Sequence, residues 1–335
     1  MTPQVGPPGS ADRIRLELRR CDFTSHNIRK RLGLTYPMWS KRSLCRNLII
    51  DEYKKSPIAD GVDILIRLLV LNMPIHITLI KQVISNVAIN DLVLLSIITY
   101  QLSDKLSSEF SMFECDGLYI LTDKLVVDNL NDSYVMPIIE ECYELLSSIP
   151  KQWSQSTLDL CTGSGIYAIA SARHSGLVTG IDNNPRAIHF SKFNSWLNGI
   201  NSITFRLQDF LLTPLTDTFD LILANPPYIP CGDNPPGSNF YNGGPNGDSI
   251  SSVIVRNLPM WLKRGGICKI IHMMICFNNE DYTTKLRTWL GNYANDFSIS
   301  IQSDIIDSII TTPTKPSSTR FGIVTFTRIS GGSGS

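Results

Sequence analysis

Asn225-Pro226-Pro227-Tyr228 follows the apolar run Phe219-Asp220-Leu221-Ile222-Leu223-Ala224, which reads as a buried strand. Two prolines in series fix φ and stiffen the backbone, so carbonyls project outward from the strand tip. The Asn225 side-chain oxygen and the Pro226 carbonyl can then accept both hydrogens of a planar amino or amide group. Such a nitrogen is a poor nucleophile because its lone pair is conjugated. Holding its hydrogens turns the lone pair toward an electrophile, and in an in-line displacement orientation supplies much of the rate. Acceptor dipoles also stabilise the positive charge that grows on nitrogen. Tyr228 offers a ring that can stack on the bound plane, with Pro227 beside it. Asn225, Pro226 and Tyr228 are the candidate catalytic residues, and Pro227 and Tyr228 are candidate substrate contacts. A plain turn is the competing reading of the tetrapeptide.

A second set lies upstream, where Leu158-Asp159-Leu160 runs into Cys161-Thr162-Gly163-Ser164-Gly165. Gly163 and Gly165 let the backbone approach a ligand with no Cβ in the way. A helix starting near Ser164 would aim its free N–H groups and positive dipole end at the same place. The spacing is Asp-x-x-x-Gly-x-Gly, not GxGxxG, and the acid inside the strand can accept from a ligand amino group or its water shell. Asp182 closes the next apolar segment, Leu177–Ile181, where it can take both hydroxyls of a ribose or cap the helix that follows. Gln208-Asp209-Phe210 ends a third segment. Asp209 can accept from an exocyclic amine and Phe210 can supply an apolar wall. Asp159, Thr162, Gly163, Gly165, Asp182, Asn183, Asp209, Phe210 and Asn225 form the candidate pocket for a nucleoside-bearing cofactor. A helix-packing turn is the structural alternative for the glycines.

These residues must be positioned by strands, and from about residue 135 strands and helices alternate. Strand patterns fall at 156–161, 177–182, 203–208, 218–224, 266–276, 297–302 and 320–328, and helical ones at 164–175, 184–199, 249–263 and 280–293. That alternation predicts a doubly wound α/β sheet of seven strands with an antiparallel edge. Ligands of such sheets bind at the carboxyl ends of the strands, where both motifs sit. From Asp12 to about Ile98 the pattern is helical. Residues 110–121 read as a hairpin turning at Asp116-Gly117. Helices and a hairpin together predict a winged-helix-like N-terminal domain over 11–130, ahead of the 131–330 domain. Such a domain serves as a substrate lid, a dimer element or a nucleic-acid reader. Residues 331–335, Gly-Gly-Ser-Gly-Ser, read as an appended flexible linker.

Bulk properties narrow the class. A chain of 335 residues with 43% hydrophobic and 18% charged residues is globular, with length enough for two domains. Its apolar stretch Ile64–Ile80 is interrupted by Arg67, Asn72, Pro74 and His76, short of the ~20 residues that span a bilayer. The N-terminal ten residues are too polar and proline-rich for a signal peptide. The eight cysteines show neither CxxC nor zinc-ligand spacing, so reduced thiols and a cytoplasmic setting are expected, with no metal. Net charge is zero, yet residues 1–55 hold twelve Lys or Arg against five acids, and residues 101–150 hold ten acids against two Lys. A solvated helical face explains the basic front as well as an anionic partner does. The neutral total and the acidic hairpin argue against nucleic acid.

With these motifs in view, residues of about 130–330 resemble a class I S-adenosylmethionine-dependent methyltransferase. Within that class they resemble the HemK/PrmC branch, which methylates glutamine side-chain amides of release factors and ribosomal proteins. Tyr241-Asn242-Gly243-Gly244-Pro245-Asn246-Gly247 is similar to the glycine-rich loop that follows NPPY in these enzymes. Asn131-Asp132-Ser133-Tyr134-Val135-Met136-Pro137 is similar to their segment before the first strand, and so Tyr134 joins the substrate contacts. The resemblance implies that Asn225 binds the accepting group and that Asp159, Asp182 and Asp209 hold S-adenosylmethionine, with no metal. It implies N-methylation of an amide or amine on a protein, peptide or specialised metabolite of natural product biosynthesis, by a cytoplasmic monomer or homodimer. The longer N-terminal part and the absence of a Pro-Arg-Pro run depart from the release-factor enzymes. An O- or carboxyl-methyltransferase would need an added His or Lys base, for which His189 and His272 are the candidates. Base methylation of nucleic acid is the third reading.

Overall fold

A computed structural model describes residues 2–33, 46–125, 131–231, 239–276, 280–305 and 317–330. The chain divides into two compact units. The first comprises residues 1–128, 135–143 and 189–201; the second comprises 129–134, 144–188 and 202–335.

In the first unit, α1 (Ser10–Arg20) buries Ile14 and Leu18, one turn apart on one face. Then come α2 (Ser25–Arg31), capped by the Thr24 hydroxyl, α3 (Arg46–Lys55) and α4 (Gly61–Leu65), capped by Asp60. A π-helical turn, Ile66–Val70, continues α4 with all five residues buried. Arg67 is tolerated inside it because its guanidinium donates to the carbonyls of Tyr53, Lys54 and Ser56. Next are β1 (Ile75–His76), α5 (Ile77–Ile80), α6 (Asn86–Leu94), β2 (Ile98–Gln101) and β3 (Lys105–Ser108). The three strands form an antiparallel sheet in the order β1-β3-β2.

This helix, strand, two helices and hairpin is a winged-helix arrangement, and it corrects two expectations. The helical reading to Ile98 missed β1, and the wing is the β2–β3 hairpin, not residues 110–121. Lys105-Leu106-Ser107-Ser108 carries no alternating apolar signal, and the turn depends on Ser103 and Asp104 at positive φ. The 110–121 hairpin exists as a separate pair, β4 (Ser111–Cys115) and β5 (Leu118–Thr122), turning at Asp116 and Gly117 with φ of 53° and 79°. All ten of its strand residues are buried.

After α7 (Glu140–Ser148), the second unit supplies β6 (Ser154–Leu160), α8 (Ile166–Ser171), β7 (Ser175–Asp182) and α9 (Pro185–Leu197). Then follow β8 (Ile203–Leu207), β9 (Phe219–Ala224), α10 (Ser249–Trp261), β10 (Leu262–Cys276), α11 (Tyr282–Leu290), β11 (Phe297–Ile305) and β12 (Ser318–Arg328). From His189 onward α9 belongs to the first unit. There the Asn194 side chain bonds both the N–H and the carbonyl of Leu121, at 2.8 Å each. Asn198 does the same at Tyr119, at 2.9 and 2.8 Å. Four helical residues rise ~6 Å and two strand residues ~6.8 Å, so two amides spaced this way close the open edge of β5.

The seven-stranded sheet runs β8-β7-β6-β9-β10-β12-β11. Its strands β8, β7, β6, β9 and β10 are parallel, and β12 is antiparallel to both β10 and β11. All seven predicted strands are present. The core includes Leu158, Ile222, Ile254, Trp261, Ile270 and Phe326. Strand order reverses between β6 and β9, which leaves a crevice at their carboxyl ends.

Candidate active site

Leu160 pairs with Ile181 of β7 on one side and with Ala224 of β9 on the other. Asp182 pairs with Leu207 of β8. Sheet register therefore brings the tips of four strands, and with them Asp159, Asp182, Asp209 and Asn225, to one end of the second unit.

Asp159 is fully buried. Its Oδ2 accepts from the Thr162 hydroxyl at 2.6 Å and from the Ala168 N–H at 3.0 Å. Its Oδ1 is buried without a partner among the described residues. Burial raises the carboxyl pKa to about 7, against the pull of those two bonds. An orphaned carboxylate oxygen without a cation suits a ligand ammonium. Thr162, expected to touch cofactor, is buried, and its hydroxyl and N–H are taken by Asp159 and by the Ile181 carbonyl. It positions Asp159 instead.

Gly163 takes φ +52°, and a Cβ there would meet only the Cys161 carbonyl, at 3.9 Å. The turn is open on that side, so the positive φ is what requires glycine there. Gly165, at φ +84°, caps α8 and donates to the Thr162 carbonyl. Cys161 lies half-buried in the same turn, its thiol pushed well up by burial and the neighbouring acids.

Asp182 is half-buried, with Oδ2 accepting from the Gly163 N–H and Oδ1 from the Asn184 N–H, each at 2.9 Å. Burial raises its pKa despite these bonds. The helix-capping alternative falls to Asn184, whose Oδ1 accepts from the Arg186 N–H. Asn183 is exposed at the tip. Asp209 is half-buried and accepts from the Leu211 N–H at 2.9 Å. Phe210 sets its ring edge-on to Trp261 at 5.9 Å, so part of the expected apolar wall is spent on the core.

At the β9 tip, the Asn225 Nδ2 donates to the Tyr167 hydroxyl at 3.3 Å. That leaves Oδ1 to accept from a ligand. Pro226 is buried and Pro227 half-buried. The Tyr228 ring corrects an expectation: it is only 7% exposed and packs edge-on against Phe321 at 5.3 Å and His272 at 6.5 Å. Its ring anchors the motif in the core and is not free to stack on a substrate. The Tyr228 carbonyl lies so close to Gly247 that a Cβ there would collide with it.

The glycine-rich loop is tied to the motif by backbone. The Ile229 N–H donates to the Tyr241 carbonyl at 2.7 Å, and the Gly243 N–H to the Ile229 carbonyl at 2.8 Å. It carries Phe240, whose ring meets Tyr134 and Tyr241 at 4.9 Å each. Tyr134 is thereby joined to the loop beside Asn225–Tyr228, although its ring is buried. Sequence reasoning missed Tyr167, Phe240 and the Ser251–His272 pair behind Tyr228. Only contact across the fold identifies them. The two histidines proposed as bases are committed elsewhere. His272 is buried, bonds Ser251 through Nδ1 at 3.0 Å and has its pKa lowered to about 4 by burial. His189 contacts the Pro3 carbonyl in the first unit. Among the described residues, no group of His, Cys, Asp and Glu could hold a metal ion.

A model of the methyltransferase domain matches residues 153–312. A putative protein N5-glutamine methyltransferase of Methanocaldococcus jannaschii is 32% identical over 42% of this chain and 73% of its own length. A release factor glutamine methyltransferase of Mycolicibacterium smegmatis is 32% identical over 39% of this chain, which spans about half (47%) of that relative. Among solved structures, that of M. jannaschii TYW2 in complex with AdoMet covers 66% of this chain and 87% of its own at 16% identity, with a TM-score of 0.44. The 73% coverage of the first relative, at that identity, shows that the chain belongs to the class I S-adenosylmethionine-dependent methyltransferases, in the branch of the protein N5-glutamine methyltransferases.

Proposed function

We propose that this enzyme methylates the side-chain amide nitrogen of a glutamine in a protein. The observation that carries this reading is the Asn225 amide, its Nδ2 bonded to Tyr167 and its Oδ1 left as an acceptor beside two prolines. The names of its relatives support the same acceptor. S-adenosylmethionine, when bound, supplies a methyl group made electrophilic by its sulfonium.

On this reading the orphaned Asp159 Oδ1 takes the cofactor's ammonium, the backbone-pinned Asp182 its ribose diol, and Asp209 its exocyclic amine. Gly163 gives it room at the turn, with Asn183 and Phe210 at the margin. Asn225 Oδ1 and the Pro226 carbonyl receive the two amide hydrogens, and the lone pair then faces the methyl carbon. Neither needs to move a proton in the methyl-transfer step. The alkylated nitrogen is acidic and gives its proton to solvent. Prolines hold the acceptors in place before the substrate arrives, so little reorganisation is needed during reaction. Tyr134, with Phe240 and Tyr241, borders the loop where the acceptor segment would enter.

The O-methyl reading is weakened because His272, one of its two candidate bases, is buried and held by Ser251. Duplex reading by the winged helix is disfavoured by α6, Asn86–Leu94, which holds no Lys or Arg. The seven cysteines among the described residues form no disulfide with one another, which favours a cytoplasmic setting, and Cys45 lies outside the described residues. Among the described residues, no helix is long and apolar enough to cross a membrane.

The test is mass spectrometry of candidate protein acceptors incubated with labelled S-adenosylmethionine, comparing wild type with Asn225→Ala. Transfer should fall by about a thousandfold, with affinity for S-adenosylhomocysteine within about twofold of wild type. Undiminished transfer by the variant, or label on oxygen, overturns the reading.

A further inference from the structure

A carboxylate shut away from water is stable only with positive charge or a full set of donors against it. Asp159 on β6 has neither. Its two bonds come from the Thr162 hydroxyl and the Ala168 N–H, both neutral and both made to Oδ2, at 2.6 and 3.0 Å. Oδ1 is buried and unpartnered among the described residues. The groups that face this carboxyl offer no relief. β7 brings the Asp182 carboxyl, which opposes a second negative charge, and the turn brings the Cys161 thiol, which carries no positive one. Helix α8 contributes the neutral Ala168 N–H. Among the described residues, no Lys, Arg or His side chain is bonded to Asp159.

Within the chain itself the positive charge has one source, a proton on the carboxyl, and burial raises the pKa to about 7 from 3.8. A cofactor ammonium brought to Oδ1 supplies the same charge from outside. One carboxylate can neutralise only one of the two. An ammonium set beside a carboxyl that kept its proton would be a buried charge without a counterion.

We propose that a proton and the cofactor's ammonium compete for Asp159, so that S-adenosylmethionine binds with release of a proton and acid opposes cofactor loading. The carboxyl O–H bond breaks, its electron pair stays on the carboxylate, and the proton passes to solvent as the ammonium takes its place. The inference rests on the Asp159 contact proposed above and adds a proton linkage to it. Asp182 takes no part in the exchange. On the same reading its ligand is a neutral diol, and its two oxygens already hold the Gly163 and Asn184 N–H groups at 2.9 Å each.

The test is isothermal titration calorimetry with S-adenosylhomocysteine, which carries the same ammonium, in two buffers of different ionisation enthalpy. Wild type should release close to one proton per ligand at about pH 6 and almost none above about pH 8. Its dissociation constant should rise toward tenfold for each pH unit below about 7. The deaminated probe 5′-S-(3-carboxypropyl)-5′-thioadenosine brings no ammonium, so it should release no proton and should not weaken in acid. Asp159→Asn should bind S-adenosylhomocysteine more weakly, with no proton released and no such dependence on pH. Proton release that survives in Asp159→Asn, or that the deaminated probe also produces, overturns the proposal. So does a wild-type affinity that is flat across this range, which leaves the ammonium contact standing if Asp159→Asn still loses affinity. A variant that binds S-adenosylhomocysteine as wild type does removes the contact itself, and this inference with it.

Discussion

The two ends of the seven-stranded sheet treat carboxylates in opposite ways. At the amino end of β9, Asp220 is half-buried and accepts from the Ser156 N–H and hydroxyl at 2.8 Å each and from Lys263 Nζ at 3.0 Å. Partial burial pushes its pKa up, but Lys263 and Ser156 pull it below the usual carboxylate range. The first unit follows the same rule, with Asp91 bonded to Arg13 and Ser10, and Asp60 to Arg31. At the carboxyl end, Asp159 and Asp182 receive, among the described residues, only hydroxyl and backbone donors, and both are shifted upward by burial. Carboxylates that hold the fold together are matched inside it. Those at the strand tips are left short of positive charge, and that deficit is what a cationic ligand can relieve.

The sharpest way to break this contrast is Asp159→Asn. The amide oxygen can keep the bonds to Thr162 and Ala168, while the orphaned oxygen becomes an uncharged NH2. Affinity for S-adenosylmethionine should fall on the order of 100-fold, as expected for losing a charged hydrogen bond. Stability at pH 8 should meanwhile rise by about 2 kcal/mol, because an unmatched buried charge is gone. Calorimetry and urea unfolding on the same preparation measure both. A variant that binds as wild type, or one less stable than wild type at pH 8, removes Asp159 from the ligand-facing class.

A second way uses pH. The Asp159 carboxyl, with its pKa near 7 in the fold and 3.8 as a free side chain, keeps its proton where the unfolded chain has lost it. Across that window the folded state binds more protons, so stability falls as pH rises, and the loss is complete above about 7. His272 has the opposite sign. Its pKa is lowered to about 4 from 6.5, so the unfolded chain takes the proton first and stability falls as pH drops through that range. In wild type the two slopes oppose each other between about pH 4 and 6.5. Asp159→Asn should unmask the His272 slope, with stability climbing as pH rises. His272→Asn, which can keep the bond to Ser251, should unmask the Asp159 slope, with stability declining. Unfolding free energies at intervals from pH 4 to pH 7.5 decide it, and parallel profiles in all three proteins would sink the assignment.

These opposing roles were only partly legible in the sequence. Alternation of apolar runs placed all seven strands of the large sheet, because buried parallel strands such as Phe219–Ala224 are apolar nearly throughout. The strand-tip positions of Asp159, Asp182 and Asn225 were legible because each ends or nearly ends such a run. Tyr228 misled, since its ring type suggested stacking and only the positions of His272 and Phe321 reveal that the core encloses it. Thr162 misled for the same reason, its hydroxyl being spent within the turn. The wing escaped because Lys105–Ser108 holds its place by pairing with β1 and β2, not by its own pattern. Tyr167 is separated from Asn225 by three strands' worth of chain, and no local spacing joins them.

The smallest expected effect tests the other end of the contrast. Asp220→Asn removes one charge from a cluster about a third exposed, where an ion pair contributes little after solvent screening. The Ser156 N–H and hydroxyl can still find an amide oxygen, so the cost should be about 1 kcal/mol at pH 7. Because its folded pKa lies below the free value, that contribution should vanish as pH falls through the carboxylate range, and the variant and wild type should then unfold together. High salt should narrow the gap as well, since the pair is partly open to water. Cofactor affinity should not change at all, because Asp220 sits at the amino end of β9 and the crevice at its carboxyl end. An affinity loss in this variant comparable to that of Asp159→Asn would mean that the sheet does not separate structural from ligand-facing carboxylates by strand end.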